Sequence, residues 1–485
     1  MIKLFKSRQE LMLWLSVGLY SVIFITISCL RHNFFLTQTW DLGAFTQMYW
    51  RATHGLGFGT PIEQAANHLG VHMSPFLYLL IPGYWLFQSP VYLLVVQTLA
   101  LALGAIPLYY IGKLVLPQSK WPLTVAIAYL CYPSLHWINL FDFHEVPFFI
   151  PLVFTAVYFF LRQRWWWSGI FFVLAASVSE NSIVAISALA LYLAFMRRPL
   201  HGSAGHSRKR QMLFGLGVFL ISLVYFVVAV KILMPAAGGG FFRIDRYTQF
   251  GGSLSEIAVN MVTKPSILFS TIWQWSRLQY LAGLFLPLLL LPFFSGWGII
   301  TLIPGLAQNV LSTFSFQTSS YYQYDATLLP ALWLTVLIGL QHPWIAKVRE
   351  KKWFYWIFWF AIVLALAVRS PLNPFSLSSL ISQPAERQTA YRDYIDLVPD
   401  TASVTAPTNL IPHLSNRPYA FMLGRQQFDT DIIIVDTHDY FGYDTQESFI
   451  AYVQSIGQSG TYEVGKVADG YLLFYRKGTQ LKESK

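Results

Sequence analysis

Long apolar runs dominate the first 370 residues of the chain. They cover residues 11–30, 91–112, 121–138, 146–161, 165–178, 182–196, 212–233, 279–294, 297–311, 326–340 and 353–369. A transmembrane helix needs about 20 mostly apolar residues, so the shorter runs require tilt or polar residues at their ends. The pattern predicts an α-helical polytopic membrane protein with about 11 transmembrane helices, the first of them an uncleaved span.

The apolar pattern stops after residue 370, and a second domain is expected over residues 371–485. Residues 385–398 are typical of a helix, residues 403–406 and 431–435 of strands, and residues 462–475 of a hairpin turning at Asp469 and Gly470. The segment is predicted to be a small soluble α/β domain. It contains neither a glycine-rich phosphate loop nor a nucleophile elbow, so it is expected to cover a membrane site or bind a partner.

Composition supports the membrane assignment. Apolar residues make up 55% of the chain and charged residues only 12%, about half the charged share of an ordinary soluble domain. This balance excludes a soluble enzyme and excludes disorder. The net charge of +10 does not indicate nucleic acid, because the basic residues are confined to short segments between apolar runs. The two cysteines indicate neither a disulfide framework nor a zinc site.

The basic clusters predict the orientation of the domain formed by residues 1–370. They lie at residues 3–8, 113–120, 162–164, 197–210 and 347–352, and all fall on one side if residues 75–87 form an interfacial or re-entrant helix that does not cross. Because lysine and arginine collect in cytoplasmic loops, the N-terminus is expected in the cytoplasm of a cell whose plasma or inner membrane holds the protein. The long loops 31–74 and 234–278 and the C-terminal domain are then extracytoplasmic.

This orientation gathers most carboxylates on the external face. Eight of the ten in the first 370 residues fall there: Asp41, Glu63, Asp142, Glu145, Glu180, Asp245, Glu256 and Asp325. Loop solubility accounts for Glu63, Asp245 and Glu256. The acids at span ends are costly there unless they have a partner or a task. Burial also raises a carboxylate pKa, which makes an acid a competent base near neutral pH.

The order of the polar motifs resembles a known family. It comprises Asp41 after the first span, His68-x-x-x-His72-x-Ser-Pro, Asp142-Phe-His144, Glu180 between two spans, and Gln323-Tyr324-Asp325-Ala326. The chain resembles the bacterial polytopic membrane proteins catalogued as domain of unknown function 2079, from Asp41 to about residue 340 and more weakly through the tail. That family in turn resembles the GT-C class of membrane glycosyltransferases, which includes aminoarabinose and protein O-mannosyl transferases.

The resemblance implies a GT-C-like fold and an inverting sugar transfer from a polyprenyl-phosphate donor to an unknown acceptor. It places Asp41 as the base on the acceptor hydroxyl, with Asp142 and Glu180 as further catalytic acids. Substrate-binding roles are implied for His144, Glu145, Tyr324 and Asp325. The chain departs from the family pattern at Val71, where an Asp is usual, at Glu145, where a Pro is usual, and at residues 179–181, where Lys-Glu-Asp is usual.

The remaining candidates leave alternatives open. His68 and His72 are four residues apart, so one helix face would carry both, and with Asp41 they could hold a divalent metal. They could instead hydrogen-bond the lipid phosphate or the acceptor, or be structural. Arg243 and Arg246 follow the flexible glycines 238–240 and could grip a phosphate with their bidentate forks, or be solvated loop charges.

Two other function classes fit the hydrophobicity. One is a transporter or lipid flippase, which usually has repeated halves and ionisable residues near the midplane, whereas these residues cluster at one face and no repeat is visible. The other is a non-enzymatic envelope scaffold whose tail binds a partner. The sequence thus favours a membrane enzyme that contacts lipid.

Overall fold

The computed structural model describes residues 7–63, 65–196, 207–424 and 429–483. It is mostly helical (67%) and ends in a small sheet. Five helices are long and apolar enough to cross a membrane: Arg8–Asn33, Pro90–Val115, Arg208–Ala236, Leu291–Val310 and Lys352–Arg369. Shorter apolar helices are Pro75–Leu86, Val146–Leu161, Trp165–Ala176, Glu180–Phe195 and Leu329–Gly339.

The predicted count of about 11 spans is not confirmed. Five predicted runs coincide with a long helix or lie within one. The run 121–138 is divided into Trp121–Leu130 and Pro133–Leu140, because a proline offers no backbone N–H and clashes with a continuing helix.

A second break falls among residues 279–294, where Leu289 and Leu290 both adopt a left-handed conformation. Both residues are strained there, since such a φ is uncommon for a side chain with a Cβ. The helix Trp275–Phe285 ends before this point, and Leu291–Leu302 continues as a 3₁₀ helix. Two of the predicted apolar runs are therefore not continuous helices.

Side-chain contacts identify two ends of the helical domain. At one end the Tyr109 hydroxyl donates to Gln9, and the Trp121 indole donates to the carbonyl of Arg349. The basic cluster 347–352 therefore lies at the same end of the helical domain as the start of the first helix. At the opposite end the Trp137 indole donates to the carbonyl of Arg369.

The loop that follows the first helix is made of short helices and turns. Its helices are Ala44–Thr53 and, after the turn His68–Gly70, the segment Pro75–Leu86. Pro75 and Pro82 keep this last segment short, and it begins as a 3₁₀ helix. The predicted non-crossing helix at 75–87 therefore appears as a short apolar helix.

The loop 234–278 contains two described helices of its own, Leu254–Thr263 and Pro265–Ile272. They are preceded by the 3₁₀ turn Phe242–Tyr247, which carries both candidate arginines. Helix Pro265–Ile272 is separated at residues 273–274 from the next helix, Trp275–Phe285, with Trp273 78% exposed and Trp275 74% exposed. Such exposed tryptophans suit a membrane interface.

The C-terminal domain is an α/β unit with a five-stranded mixed sheet. Its strands are β1 Val404–Ala406, β2 Ala420–Met422, β3 Ile432–Asp436, β4 Tyr462–Ala468 and β5 Tyr471–Arg476, in the order β2-β1-β3-β5-β4. β1 pairs in parallel with β2 and β3, while β5 pairs antiparallel with β3 and β4. Helices Pro374–Leu380, Ala385–Asp396, Ile411–Leu414 and Gln446–Gln458 accompany it.

The hairpin prediction is confirmed in detail. Asp469 and Gly470 connect β4 to β5, and both have positive φ, as a two-residue turn between twisted strands requires. Strand β2 and the helix Gln446–Gln458 were not predicted. Strand β2 is only three residues long, and the capping box of the helix uses Ser448 instead of the usual acid or amide.

The C-terminal domain packs against the first loop of the helical domain. Phe35, Ala44 and Ile62 belong to the same apolar core as Tyr391 and Ile432. Such burial stabilises the contact by roughly 25 cal/mol per Å² of apolar surface removed from water. The sheet therefore braces the loop that presents Asp41.

Candidate active site

Local backbone geometry presents Asp41 just beyond the first helix. The helix ends at Asn33, and Phe35 turns the chain with a φ of 57°. A single wide helical turn, Thr39–Gly43, then carries Asp41. Thr39 anchors this turn to the C-terminal domain, since its N–H donates to the hydroxyl of Thr408 and its own hydroxyl to the Thr408 carbonyl. Asp41 is thereby held at a defined position.

Asp41 forms an ion pair with His144. His144 Nε2 lies 2.8 Å from Asp41 Oδ1, and its Nδ1 lies 3.2 Å from the carbonyl oxygen of Phe141. Both neighbours are acceptors, so both ring nitrogens donate and the imidazolium form is favoured. Burial lowers the pKa of His144, but the Asp41 carboxylate outweighs it and the net shift is upward. The Asp41 side chain remains 19% exposed.

Asp142 lies directly beside this pair and is buried. The Gln38 N–H donates to its Oδ2 at 2.6 Å. Burial raises the pKa of Asp142 to about 7; the positive charge of Arg31 opposes this shift, and the negative charge of Asp41 adds to it. The group therefore titrates near neutral pH. Its φ of 45° is a strained left-handed conformation, of a kind that often accompanies function.

Gln97 holds the Asp142 turn in place and was missed by sequence reasoning. Its Nε2 donates to the carbonyls of Asp142 at 2.6 Å and Asn139 at 3.2 Å, and its Oε1 accepts from the His144 N–H at 2.8 Å. A fully buried amide inside an apolar run is costly without partners. A glutamine inside an apolar run was therefore the sequence signal that could have predicted buried hydrogen-bond partners for Gln97.

Glu63 and His68 form a second buried pair. His68 Nδ1 lies 2.8 Å from Glu63 Oε1. Burial raises the pKa of Glu63 and lowers that of His68, yet their mutual attraction reverses both shifts. Within the described residues, His68 Nε2 and Glu63 Oε2 have no hydrogen-bond partner. Loop solubility therefore does not explain Glu63, which lies in the site.

Glu180 and His72 form a third pair, which an arginine extends. His72 Nδ1 lies 3.1 Å from Glu180 Oε1, and the Met73 N–H donates to Oε2 at 3.0 Å. On the other side of the ring, Arg243 Nη2 donates to His72 Nε2 at 3.4 Å. Because arginine can only donate, His72 Nε2 is the acceptor in this contact.

Aromatic packing joins the three pairs into one cluster. The ring centroid of Phe45 lies 5.2 Å from that of His68 and 6.2 Å from that of His144, while the His68 and His72 centroids are 6.1 Å apart. The buried Glu145 raises the pKa of both His68 and His144. We call this the acid–histidine cluster: Asp41, Glu63, His68, His72, Asp142, His144, Glu145 and Glu180.

Two cations and a tyrosine adjoin the acid–histidine cluster. The Arg246 guanidinium lies 5.5 Å from the Tyr324 ring centroid and 4.4 Å from that of Phe314. The charges of Asp41 and Arg243 both act on the Tyr324 hydroxyl, in opposite directions. Arg243, Arg246, Tyr324 and Asp41 are thus electrostatic neighbours, although almost 300 residues separate the first acid from the tyrosine.

Asp325, unlike its neighbour Tyr324, lies apart from the cluster. It is fully buried and accepts hydrogen bonds from Ser134 at 2.6 Å, Tyr280 at 2.6 Å and Asn309 at 3.0 Å. Burial raises the pKa of Asp325 against these bonds. Its contacts join three helical segments, which is a structural arrangement.

We expect Asp325→Asn to reduce the stability of the protein. The amide N–H₂ would face hydroxyl and amide donors, and an unsatisfied buried polar group costs about 1–3 kcal/mol. The measurement is the midpoint of thermal unfolding. Asp393→Asn, at a half-exposed surface pair, is the control. An unfolding midpoint equal to that of the wild type would contradict the structural role of Asp325.

The suggested metal site is not formed by the residues proposed for it. Asp41 is paired with His144, His68 with Glu63 and His72 with Glu180. Among the residues that the structure describes, no three His, Cys, Asp or Glu side chains are grouped so as to hold a metal ion. His68 and His72 do lie close together, but His68 begins the 3₁₀ turn His68–Gly70 and His72 follows that turn, so the expected helix is not formed.

The helices and the buried polar cluster at one end define a multi-pass membrane protein. The chain belongs to the family described as predicted membrane protein, domain of unknown function 2079, whose profile matches residues 31–473. The resemblance seen in the motifs is thereby confirmed at the level of the family. No curated protein matches the chain.

Proposed function

We propose that the protein is a GT-C-like membrane glycosyltransferase that moves a sugar from a polyprenyl-phosphate donor to an acceptor hydroxyl. One observation carries the proposal: a partly exposed carboxylate, Asp41, is held by the His144 imidazolium beside buried Asp142, with Arg243 and Arg246 nearby. This arrangement puts a base and phosphate-binding cations in one place.

Asp41 is the proposed base because it is accessible. Its Oδ1 is bound to His144, and 19% of the side chain is exposed, whereas Asp142 is buried. The acceptor oxygen attacks the anomeric carbon of the donor sugar while Asp41 takes the hydroxyl proton. The bond from that carbon to the phosphate oxygen breaks, and polyprenyl phosphate leaves with the electron pair. Direct displacement inverts the anomeric configuration.

The arginines are proposed to receive the leaving phosphate. Arg243 already reaches the cluster through His72 at 3.4 Å, and Arg246 is held by Phe314 and Tyr324. Guanidinium groups bind phosphate oxygens bidentately. Because negative charge develops on the phosphate as the bond breaks, a fixed cation there stabilises the transition state.

The cluster is proposed to face the outside of a plasma or inner membrane, with the N-terminus in the cytoplasm. The basic segment 347–352 lies at the opposite end of the helical domain from Arg369, near the paired residues Gln9 and Tyr109. Basic loops stay in the cytoplasm. The C-terminal domain, which braces the Asp41 loop, is then extracytoplasmic and covers one side of the site.

Arg243→Gln is expected to weaken donor binding and also to lower the maximal rate, because the same cation holds the phosphate while its negative charge increases. Loss of a charge-assisted phosphate contact costs roughly 1.5–3 kcal/mol, or about ten- to a hundredfold in affinity. The purified protein in nanodiscs would be assayed with a panel of polyprenyl-phosphate-linked sugars, following release of polyprenyl phosphate. Arg392→Gln, on an exposed helix of the C-terminal domain, is the matched control.

The same assay tests the proposal as a whole. Release of polyprenyl phosphate from any member of the panel, lost in the Asp41 variant, supports a glycosyltransferase. Movement of intact sugar lipid across a proteoliposome membrane without release would instead favour the alternative, a transporter or lipid flippase. If the assay detects neither turnover nor movement, the remaining alternative is a non-enzymatic envelope scaffold.

A further inference from the structure

A groove with a polar part and an apolar part lies outside the acid–histidine cluster. It has a volume of about 1070 Å³ and runs between the helices Trp275–Phe285 and Lys352–Arg369. Residues of the loop 313–321 line one end of it. We call it the arginine groove, because Arg277 and Arg369 are the charged residues among its lining.

One part of the arginine groove is apolar and opens sideways. Leu286, Leu364 and Val368 line it and are 58%, 51% and 67% exposed. They lie on or beside Lys352–Arg369, one of the five helices able to cross a membrane. In a bilayer this surface faces hydrocarbon chains, so the groove is open to lipid and not to water alone.

The other part of the groove is polar and cationic. Arg369 is the last residue of its helix, and its guanidinium lies flat against Gly283 of the facing helix. A Cβ on Gly283 would collide with the guanidinium carbon and both terminal nitrogens. The glycine thus makes the space that this cation occupies.

The positive charge of the groove is not balanced by acids. Arg277 donates to the carbonyls of Val310 and Ser312 and to the Gln274 side chain, all of them neutral. No Asp or Glu lines the groove, and in the described ranges neither arginine forms an ion pair. Ser276 and Ser315 add hydroxyl donors to the polar end, whereas the hydroxyls of Thr313, Thr318 and Ser319 already donate to backbone carbonyls.

We infer that the arginine groove binds a membrane lipid with a phosphate headgroup. Arg369 and the hydroxyls of Ser276 and Ser315 receive the phosphate, and the lipid chain lies along Leu286, Leu364 and Val368. Charge decides between lipid classes, because an uncharged headgroup would leave both guanidinium groups uncompensated near hydrocarbon. The inference does not depend on the proposed sugar transfer, since no residue of the acid–histidine cluster lines this groove.

The test measures lipid binding directly. The full-length protein, purified into phosphatidylcholine nanodiscs, is titrated with phosphatidylglycerol, with polyprenyl phosphate and with inorganic phosphate, and bound lipid is counted by native mass spectrometry. Arg369→Gln is expected to bind anionic lipid about tenfold more weakly or worse, as loss of a charge-assisted contact predicts. Arg392→Gln is expected to bind like the wild type.

A second variant, Gly283→Ala, keeps the positive charge of Arg369 but fills the space that its guanidinium occupies. Gly283→Ala should also lose lipid binding, whereas Gly217→Ala, with nothing within 4 Å of its added Cβ, should not. Preference for phosphatidylglycerol or for polyprenyl phosphate identifies the source of the phosphate. Unchanged lipid counts in folded Arg369→Gln, or equal competition by inorganic phosphate, would overturn the inference. Neither outcome would bear on the sugar-transfer assay, which tests the acid–histidine cluster.

Discussion

Replacement of Asp41 by Asn is expected to abolish most turnover without preventing membrane insertion or donor binding. Asn keeps the shape of the side chain and can still accept a hydrogen bond from His144, which lies 2.8 Å away. It cannot take a proton. A positioned general base contributes a factor of about 10² to 10⁴ in rate, and the rate should fall by that amount.

Two readouts separate a base from a structural acid. Turnover and donor affinity are measured on the same purified Asp41→Asn protein, both normalised to folded protein, with Asp393→Asn as a control at an exposed pair. A structural Asp41 would lose folded yield and donor affinity along with rate. Full turnover in a folded variant would remove Asp41 as the base, and with it the best argument for an enzyme.

Much of the fold followed from short-range patterns. The β-branched segment around Ile433 and the turn Asp469–Gly470 depend on local propensity and turn chemistry, and both were placed within a residue or two. Strand β2 was missed because Ala420–Met422 contains no β-branched residue, whereas the equally short β1 contains Val404 and Thr405. The count of about 11 spans was not confirmed, and Pro133 and the Leu289–Leu290 turn interrupt two runs whose hydropathy alone is continuous.

The candidate site was predictable in its acids and histidines but not in their pairing. The sequence predicted that Asp41 and Asp142 would share a region, and the structure brings both to the His144 ring. The pairing of His68 with Glu63 could not be predicted, because the sequence pattern indicated only a solvated loop for Glu63. Pairing depends on how distant segments pack, and local spacing does not encode that.

Tyr324 and Asp325 illustrate the same limit at adjacent positions. On the 3₁₀ turn Gln323–Thr327, Tyr324 contacts Arg246, while Asp325 accepts its bonds from Ser134, Tyr280 and Asn309. A motif shows that both residues matter. Only the turn geometry distinguishes the one beside the site from the one that holds helices together.

The stability of the protein is expected to depend on the charge of Asp142. An unfolded aspartate has a pKa of 3.8, whereas burial raises the pKa of folded Asp142 to about 7. Between these values the folded state binds a proton that the unfolded state does not. Stability from this group therefore falls as pH rises from about 4 to about 7 and is constant above that.

Asp142→Asn should remove this decline. Asn is neutral at every pH, matches the protonated acid in shape, and can still accept the Gln38 N–H. One pKa unit corresponds to about 1.4 kcal/mol, so the variant gains no more than about 4 kcal/mol at pH 8 and much less at pH 5. The midpoint of thermal unfolding, followed by tryptophan fluorescence in nanodiscs, should separate from the wild type progressively over this range.

The control for this pH series is Asp393→Asn, whose carboxylate is 53% exposed and should give a constant difference from the wild type above pH 5. A constant difference for Asp142→Asn as well would mean that Asp142 is already ionised when folded. Arg31, whose positive charge favours the ionised form, would then dominate over burial. In that case Asp142 would be a permanent anion beside Asp41, and it would hold the His144 imidazolium instead of switching charge near neutral pH.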